Sequence, residues 1–293
     1  MRLLHQLKGE AFLDGITLHA NAKINLYLDV TGKREDGYHL LETVMHTVSL
    51  CDIVTISKRE KSGIEISCSD PLIPCNEKNI AYKCASDFFD KAGICGGGVS
   101  IDIIKKIPSQ AGMGGGSADG AAVLTGMNRL FDTGLSEAEL ISMGAKLGAD
   151  IPFCIKGGCG YCTGIGEIIE PLPPISGTVL IGKGKMGIST AEAFRKIDSI
   201  GAGIGIKGIR ERFSCVSSLG DISDYCRNIF DDVTSLEEVL DIKRIMTENG
   251  AAVSSMTGSG SAVFGLFDSE TLAEKALHIL NKKGYFSALC SLV

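Results

Sequence analysis

The sequence predicts an α+β chain in two domains, and three observations carry that expectation. The first half holds an alternating strand pattern, a glycine loop and then a helical pattern. A proline-rich stretch at Pro171, Pro173 and Pro174 interrupts the chain and places a boundary between residues 1–172 and 173–293. In the second half two helical patterns flank a strand, the arrangement of helices laid on an antiparallel sheet. A length of 293 residues fits about two domains at roughly 100 to 200 residues each.

The elements follow in order. Residues 1–14 carry Arg2, Lys8, Glu10 and Asp14 without a sustained apolar core, so they read as a short extension and not as a secretory signal. Over 22–30 the chain alternates, with Ile24, Leu26, Leu28 and Val30 on one face and Lys23, Asn25, Tyr27 and Asp29 on the other, which predicts a half-buried strand. Val99, Ile101, Ile103 and Ile107 repeat the alternation up to Pro108, which cannot donate to a sheet ladder and so starts a loop. Val123, Leu124, Met127, Leu130 and Phe131 then recur at helical spacing, with Ser117 placed as an N-cap. A second helix spans 137–147 and stops at Gly148, with Asp150 directly after it. Beyond the prolines, residues 201–208 form a glycine-rich loop, helices are expected near 236–248 and 271–282, a strand at 262–267, and a last short strand at the end.

Composition excludes several classes. Hydrophobic residues at 44% and charged residues at 22% describe a folded globular chain, not a disordered or collagen-like one. Twenty-nine basic against 35 acidic side chains give −6, the wrong sign for a nucleic-acid binder. No apolar run approaches the ~18 residues of a membrane span. Eleven cysteines without an export signal point to free thiols in the cytoplasm. Cys154, Cys159 and Cys162 include one CxxC but no completing ligand pair, so no metal site is assigned.

The chemistry concentrates at Pro108, Ser109, Gln110, Ala111, Gly112, Met113, Gly114, Gly115, Gly116, Ser117 and Ala118. Four glycines within five residues allow the backbone to wrap an anion, and the positive end of the following helix adds attraction. A flexible turn is the plainer alternative. The loop lacks the G-K-[ST] ending of a Walker motif. A formal GxGxxG at Gly203, Gly205 and Gly208 follows no strand, which leaves a dinucleotide fold without support.

The blocks AKINLYLDVTGKREDGYHLLET, PSQAGMGGGSADGAA and MTGSGSAVF resemble the three motifs of the GHMP small-molecule kinases. The resemblance runs from about Leu18 to the C-terminus, with GADIPF and GISTAEAF in the expected order. The combination of A-K-I-N-L with G-Y-H is similar to the branch whose acceptor is the cytidylyl-linked methylerythritol of the non-mevalonate isoprenoid route. Membership implies a ribosomal-S5-like ATP-binding domain followed by a ferredoxin-like domain, ATP and Mg2+ as cofactors, a small-molecule acceptor, and a monomer or weak homodimer.

Role by role, the resemblance implies that Asp150 takes or orients the acceptor hydroxyl and that Lys23 lies beside the transferring phosphoryl group. It also implies that Asn25 binds the polyol and that Tyr38 and His39 recognise cytosine. Asn79 falls near adenine and Thr190 near the site, while Gly258, Ser259 and Gly260 close over the substrate from the second domain. Each has a plainer alternative: a surface carboxylate, a solvated strand lysine, a half-buried Tyr-His pair, helix caps for Asn79 and Thr190, and a hairpin turn. The chain departs from the family pattern at Met113, at Ala118 where a second serine is usual, and in lacking a proline before Thr190. Rival readings are a kinase for homoserine or a sugar, a non-catalytic ligand sensor, and an RNA-binding protein, the last disfavoured by the acidic balance.

Overall fold

The apolar alternation near the start builds two long strands, β1 (Gly15–Lys33) and β2 (His39–Lys58), paired antiparallel. The computed structural model describes residues 15–201, 203, 205–216 and 218–293, and the extension expected over 1–14 lies outside the described residues. The chain continues through β3 (Gly63–Cys68), α1 (Ile80–Ala92), β4 (Gly98–Ile104), α2 (Gly115–Leu130), α3 (Glu137–Leu147), α4 (Ile151–Lys156), β5 (Cys159–Thr163) and β6 (Ile168–Leu172). Then come β7 (Thr178–Lys183), α5 (Thr190–Ile200), α6 (Ile209–Ser214), α7 (Leu219–Ser223) and β8 (Arg227–Asn228). A short 3-10 turn (Ile229–Asp232), α8 (Glu237–Glu248), β9 (Val253–Met256), β10 (Val263–Phe267), α9 (Glu270–Lys282) and β11 (Phe286–Ser291) complete it.

Two sheets result. One runs β3-β4-β2-β1-β8, with β5 on the free stretch of β2 and β6 beyond it, while the second is β11-β7-β10-β9, antiparallel throughout. The last strand of the first stretch ends at Leu172 and the next begins at Thr178, but the separation is incomplete. β8 returns to pair with β1, and the chain end bridges Leu292 to Val48 and donates from Val293 N to Thr47 O. One apolar cluster accordingly contains Ile24 and Val54 of the first sheet together with Ile181 and Phe264 of the second.

Three sequence expectations need correction. The strand expected at 22–30 is buried on both faces, because α2 packs against it and Leu28 and Val30 join a cluster with Leu180, Met256 and Val263 of the second sheet. Irregular register around Asn25/Tyr27 also breaks its alternation, so Ile24 and Leu26 join one core while Leu28 and Val30 join another with Leu180 and Ile242. Ser117 does not cap α2: Gly114 does, with φ of 70° and no side-chain bond, and Ser117 lies in the first turn. Pro171 belongs to β6, where an outer strand tolerates the missing donor, and not to a linker. Ile107 is buried beyond the end of β4. The helix over 137–147 is present as expected, held by a capping box between Ser136 and Glu139.

Among the described residues no helix is long and apolar enough to cross a membrane, and no three or more His, Cys, Asp or Glu side chains gather as a metal site. All eleven cysteines are free. The GxGxxG glycines lie in the connection from α5 to α6, where a Cβ on Gly203 would collide with the Asp29 carboxylate.

The contact that fixes α2 is its seat on the hairpin. Gly126 has no side chain where a Cβ would meet Ile56 Cδ1 at 2.6 Å and Leu18 Cδ1 at 2.7 Å, so helix and sheet approach closely. Ile56 is fully buried there. Ile56→Ala should therefore lose about 2–5 kcal/mol of stability in urea unfolding. A loss below about 0.5 kcal/mol, typical of surface positions, would contradict this packing.

Candidate active site

The glycine loop is stitched down on two sides. On the first sheet, Lys23 N donates to Met113 O at 3.1 Å. On the second, Ser261 N and Ala262 N of the β9–β10 connection donate to Gln110 O and Ala111 O at 3.4 and 3.2 Å. Gly112, at φ 72°, lies so close to the Thr257 carbonyl that a Cβ would collide with it, and a Cβ on Gly258 would stand 2.7 Å from Gly112 O. Two backbones can approach this way only with glycine on the facing positions. The β9–β10 connection is a hairpin turn, as the plainer reading had it, and it also forms a wall of the cleft.

Lys23 is buried at 4% exposure, and its Nζ donates to Asn25 Oδ1 at 2.8 Å and stands 3.6 Å from Asp150 Oδ2. It is no solvated strand lysine. Asp150 occupies the N-cap position of α4 but makes no side-chain cap bond. Its carboxylate instead faces Lys23, and both come within 3.5 Å of where a Cβ of Gly114 would sit. Asn25 is a junction: Oδ1 also accepts from Gly258 N at 2.9 Å, and Nδ2 donates to Thr43 Oγ1 at 2.9 Å. Thr257 Oγ1 accepts from Asn25 N at 3.1 Å.

The loop separates two cavities, and Gly114 and Ser117 line both. The first, about 460 Å³, has Lys23, Asn25, Asp150 and Thr43 at its floor, and Tyr38, His39, Thr190, Gly258 and Ser259 along its walls. Tyr38 is exposed, with its ring free, while His39 is half-buried and stacks on Phe194 at 4.4 Å between centroids. His39 Nε2 lies 2.6 Å from Asp198 Oδ1. Thr190 begins α5, and its hydroxyl lies 2.9 Å from Ser259 Oγ rather than capping the helix.

The second cavity, about 340 Å³, is walled by Pro108, Ser109, Gln110, Ala111, Met113, Gly115 and Gly116, with Asn79 opposite. Asn79 does cap α1, accepting from Ala81 N at 2.9 Å, so the cap and the cavity position coincide. Two candidates are not among the residues that line these cavities. Ala118 is turned into the apolar core on the far face of α2, and Gly260 packs against Ile188 and Met256. A serine at position 118 would put its hydroxyl away from both cavities.

Sequence reasoning missed a charged group beneath the loop. Lys105 Nζ pairs with Asp52 and, at 2.7 Å, with Asp119 Oδ2, and Lys105 and Asp119 both line the second cavity. Burial raises the Asp119 carboxyl; the Lys105 charge opposes this and Asp52 adds to it. Burial alone would lower the Lys105 ammonium, but the two carboxylates outweigh it and hold it above its ordinary value. The tandem lysines just before the loop were the only available signal. Phe194 was also missed, although its spacing of four from Thr190 puts both on one helix face.

Comparison with known proteins places this geometry. The family models "GHMP kinases N terminal domain" and "GHMP kinases C terminal" match residues 79–158 and 215–285. The 4-diphosphocytidyl-2-C-methyl-D-erythritol kinase of Clostridium perfringens is 42% identical over 275 residues, covering 92% of this chain and 95% of its own. That of Acetivibrio thermocellus is 42% identical over 270 residues, 89% of this chain and 93% of its own. A crystal structure of 4-(cytidine 5'-diphospho)-2C-methyl-D-erythritol kinase superimposes with a TM-score of 0.77 at 28% identity, covering 94% of this chain and 99% of that one. The chain belongs to the GHMP kinases, within the family of the 4-diphosphocytidyl-2-C-methyl-D-erythritol kinases.

Proposed function

We propose that this chain moves the γ-phosphoryl group of ATP to the 2-hydroxyl of 4-diphosphocytidyl-2-C-methyl-D-erythritol, a step in isoprenoid precursor synthesis. The observation that carries the reading is the Lys23–Asp150 pair, 3.6 Å apart, at the point where the glycine loop divides the two cavities. The triphosphate lies along the loop in the cavity of Asn79 and Gly115. Its terminal phosphate reaches the uncapped first turn of α2, where backbone N–H groups and the helix dipole favour negative charge.

The acceptor fills the larger cavity, with its polyol end toward Asn25 and Asp150 and its base at the rim beside Tyr38 and His39. Its hydroxyl oxygen bonds to the γ-phosphorus as the bond to the departing ADP oxygen breaks. Asp150 takes or orients the hydroxyl proton, and Lys23 supplies positive charge beside the transferring group. Asn25 acts at one remove, because its carbonyl oxygen is already occupied by Lys23 Nζ and Gly258 N.

Mg2+ bound with ATP would neutralise phosphate charge. The Ser117 hydroxyl and Asp119 Oδ1, a buried oxygen without a partner among the described residues, are hard donors on the first turns of α2 and would hold it. Such a small protein contribution suits an ion that keeps phosphate and water ligands. A cavity with room for a nucleotide-sized acceptor and an exposed tyrosine at its rim favours the cytidylyl alcohol over homoserine or a simple sugar.

Coupled ADP release should occur with the cytidylyl acceptor and not with homoserine or galactose, and the reverse pattern would reassign the enzyme. Asp150→Asn should lower kcat by about 10²- to 10⁴-fold, the range for a lost general base, with ATP binding by calorimetry little changed. Near-normal turnover would remove Asp150 from the reaction. Tyr38→Ala should raise the acceptor KM by about ten-fold or more, since base-aromatic stacking contributes ~1–3 kcal/mol, and an unchanged KM would take the base away from that ring.

A further inference from the structure

His39 does not stand alone at the rim of the acceptor cavity. Its ring is stacked on Phe194, which meets Phe230 edge-on at 5.1 Å, and Phe194 and Phe230 both line the cavity. Its Nε2 lies 2.6 Å from Asp198 Oδ1, while Lys33 Nζ donates to Asp198 Oδ2 at 2.7 Å. Asp198 and Phe194 share one face of α5, four residues apart, so one helix supplies both the stacking partner and the carboxylate. Lys33 and His39 come from the facing ends of β1 and β2 and pair across the hairpin. The contact therefore joins the helix after β7 to the first sheet.

A carboxylate only accepts hydrogen bonds, so a nitrogen held 2.6 Å from one must carry the proton. In a neutral imidazole this leaves Nδ1 as a bare lone pair, and among the described residues Nδ1 makes no hydrogen bond. We infer that Asp198 is a specificity-setting positioning residue that locks His39 in its Nε2–H form and so offers an acceptor nitrogen to the base of the acceptor substrate. The inference rests on the proposed function, since it names what that site selects. An acceptor nitrogen suits a ring bearing an exocyclic amine, which donates, and opposes one bearing a carbonyl at that place. Cytosine has the amine and uracil the carbonyl. Lys33 aids the arrangement by holding the second oxygen of Asp198, leaving the first for the ring.

The test compares Asp198→Ala and Asp198→Glu with the unaltered enzyme. Nitrogen-15 spectra of the His39 ring in the substrate-free protein should show Nε2 protonated and Nδ1 bare, and Asp198→Ala should give a mixture of the two tautomers. With the cytidylyl acceptor, Asp198→Ala should raise KM by about ten-fold, the equivalent of one hydrogen bond of ~1.4 kcal/mol, with kcat and the KM for ATP little altered. Preference for the cytidylyl over the uridylyl acceptor should fall in parallel, and Asp198→Glu should restore part of it. A bare Nε2 in the unaltered enzyme, or an acceptor KM and base preference that ignore Asp198→Ala, would overturn the inference. If no cytidylyl alcohol is phosphorylated at all, the proposed function fails instead, while the ring spectra still report on Asp198.

Discussion

The close approach of two backbones, at Gly112 and at Thr257–Gly258, is the constraint on which the rest of this structure depends. The glycine loop gives up side chains at its crossing points and in return is bonded to β1 on one side and to the β9–β10 turn on the other. With the loop fixed this way, α2 starts at a defined place, and its first turn faces open space instead of a side-chain cap. The seat of α2 against Ile56 and Leu18 fixes the other end of the same rigid unit. Backbone amides that are to hold an anion need this support, since they cannot rotate independently to find their ligand.

Charge is arranged around that frame in two buried groups. Lys23 has its ammonium held by Asn25 and Asp150 at the junction of the cavities, and Lys105 is shared by Asp52 and Asp119 beneath the loop. Buried cations are tolerated only when paired and hydrogen-bonded. Lys23 meets that condition with Asn25 on its own strand and Asp150 at the start of α4, and Lys105 with Asp52 of β2 and Asp119 of α2, so neither charge is placed until separate elements have come together. Asn25 links this electrostatic centre to the second sheet through Thr257 and Gly258, so the same amide that steadies the lysine also registers the far wall of the cleft.

Much of this was legible in the residues. The order strand, glycine loop, helix gave the first layer, the helices flanking a strand gave the α+β class, and the resemblance to the GHMP family rested on three short blocks. The spacing of Lys23 and Asn25 put both on one side of a strand, and they do meet. What escaped were features that arise only in three dimensions. β1 read as half-buried because period-two alternation normally marks one wet face, but here the polar positions are buried against partners hundreds of residues away, such as Thr257 for Asn25. Ser117 looked like a cap because its type suits one, whereas Gly114 took the position through a backbone angle that serine avoids. Lys105 stood outside every motif, Asp119 fell inside the glycine-loop block without a role of its own, and their pairing depends on Asp52, which sits on another strand.

The return of β8 to the edge of β1, and of the chain end to β2, means that the stretch between Leu172 and Thr178 is not a tether between separable bodies. A protease that nicked residues 173–177 would leave two pieces still interleaved through shared strands and a shared apolar interior. Neither piece would own the whole larger cavity, because one brings the glycine loop with Lys23 and Asp150 while the other brings the wall of Thr190, Phe194 and Ser259. The chain is thus tied together by later pairings at the place where its sequence looks easiest to cut.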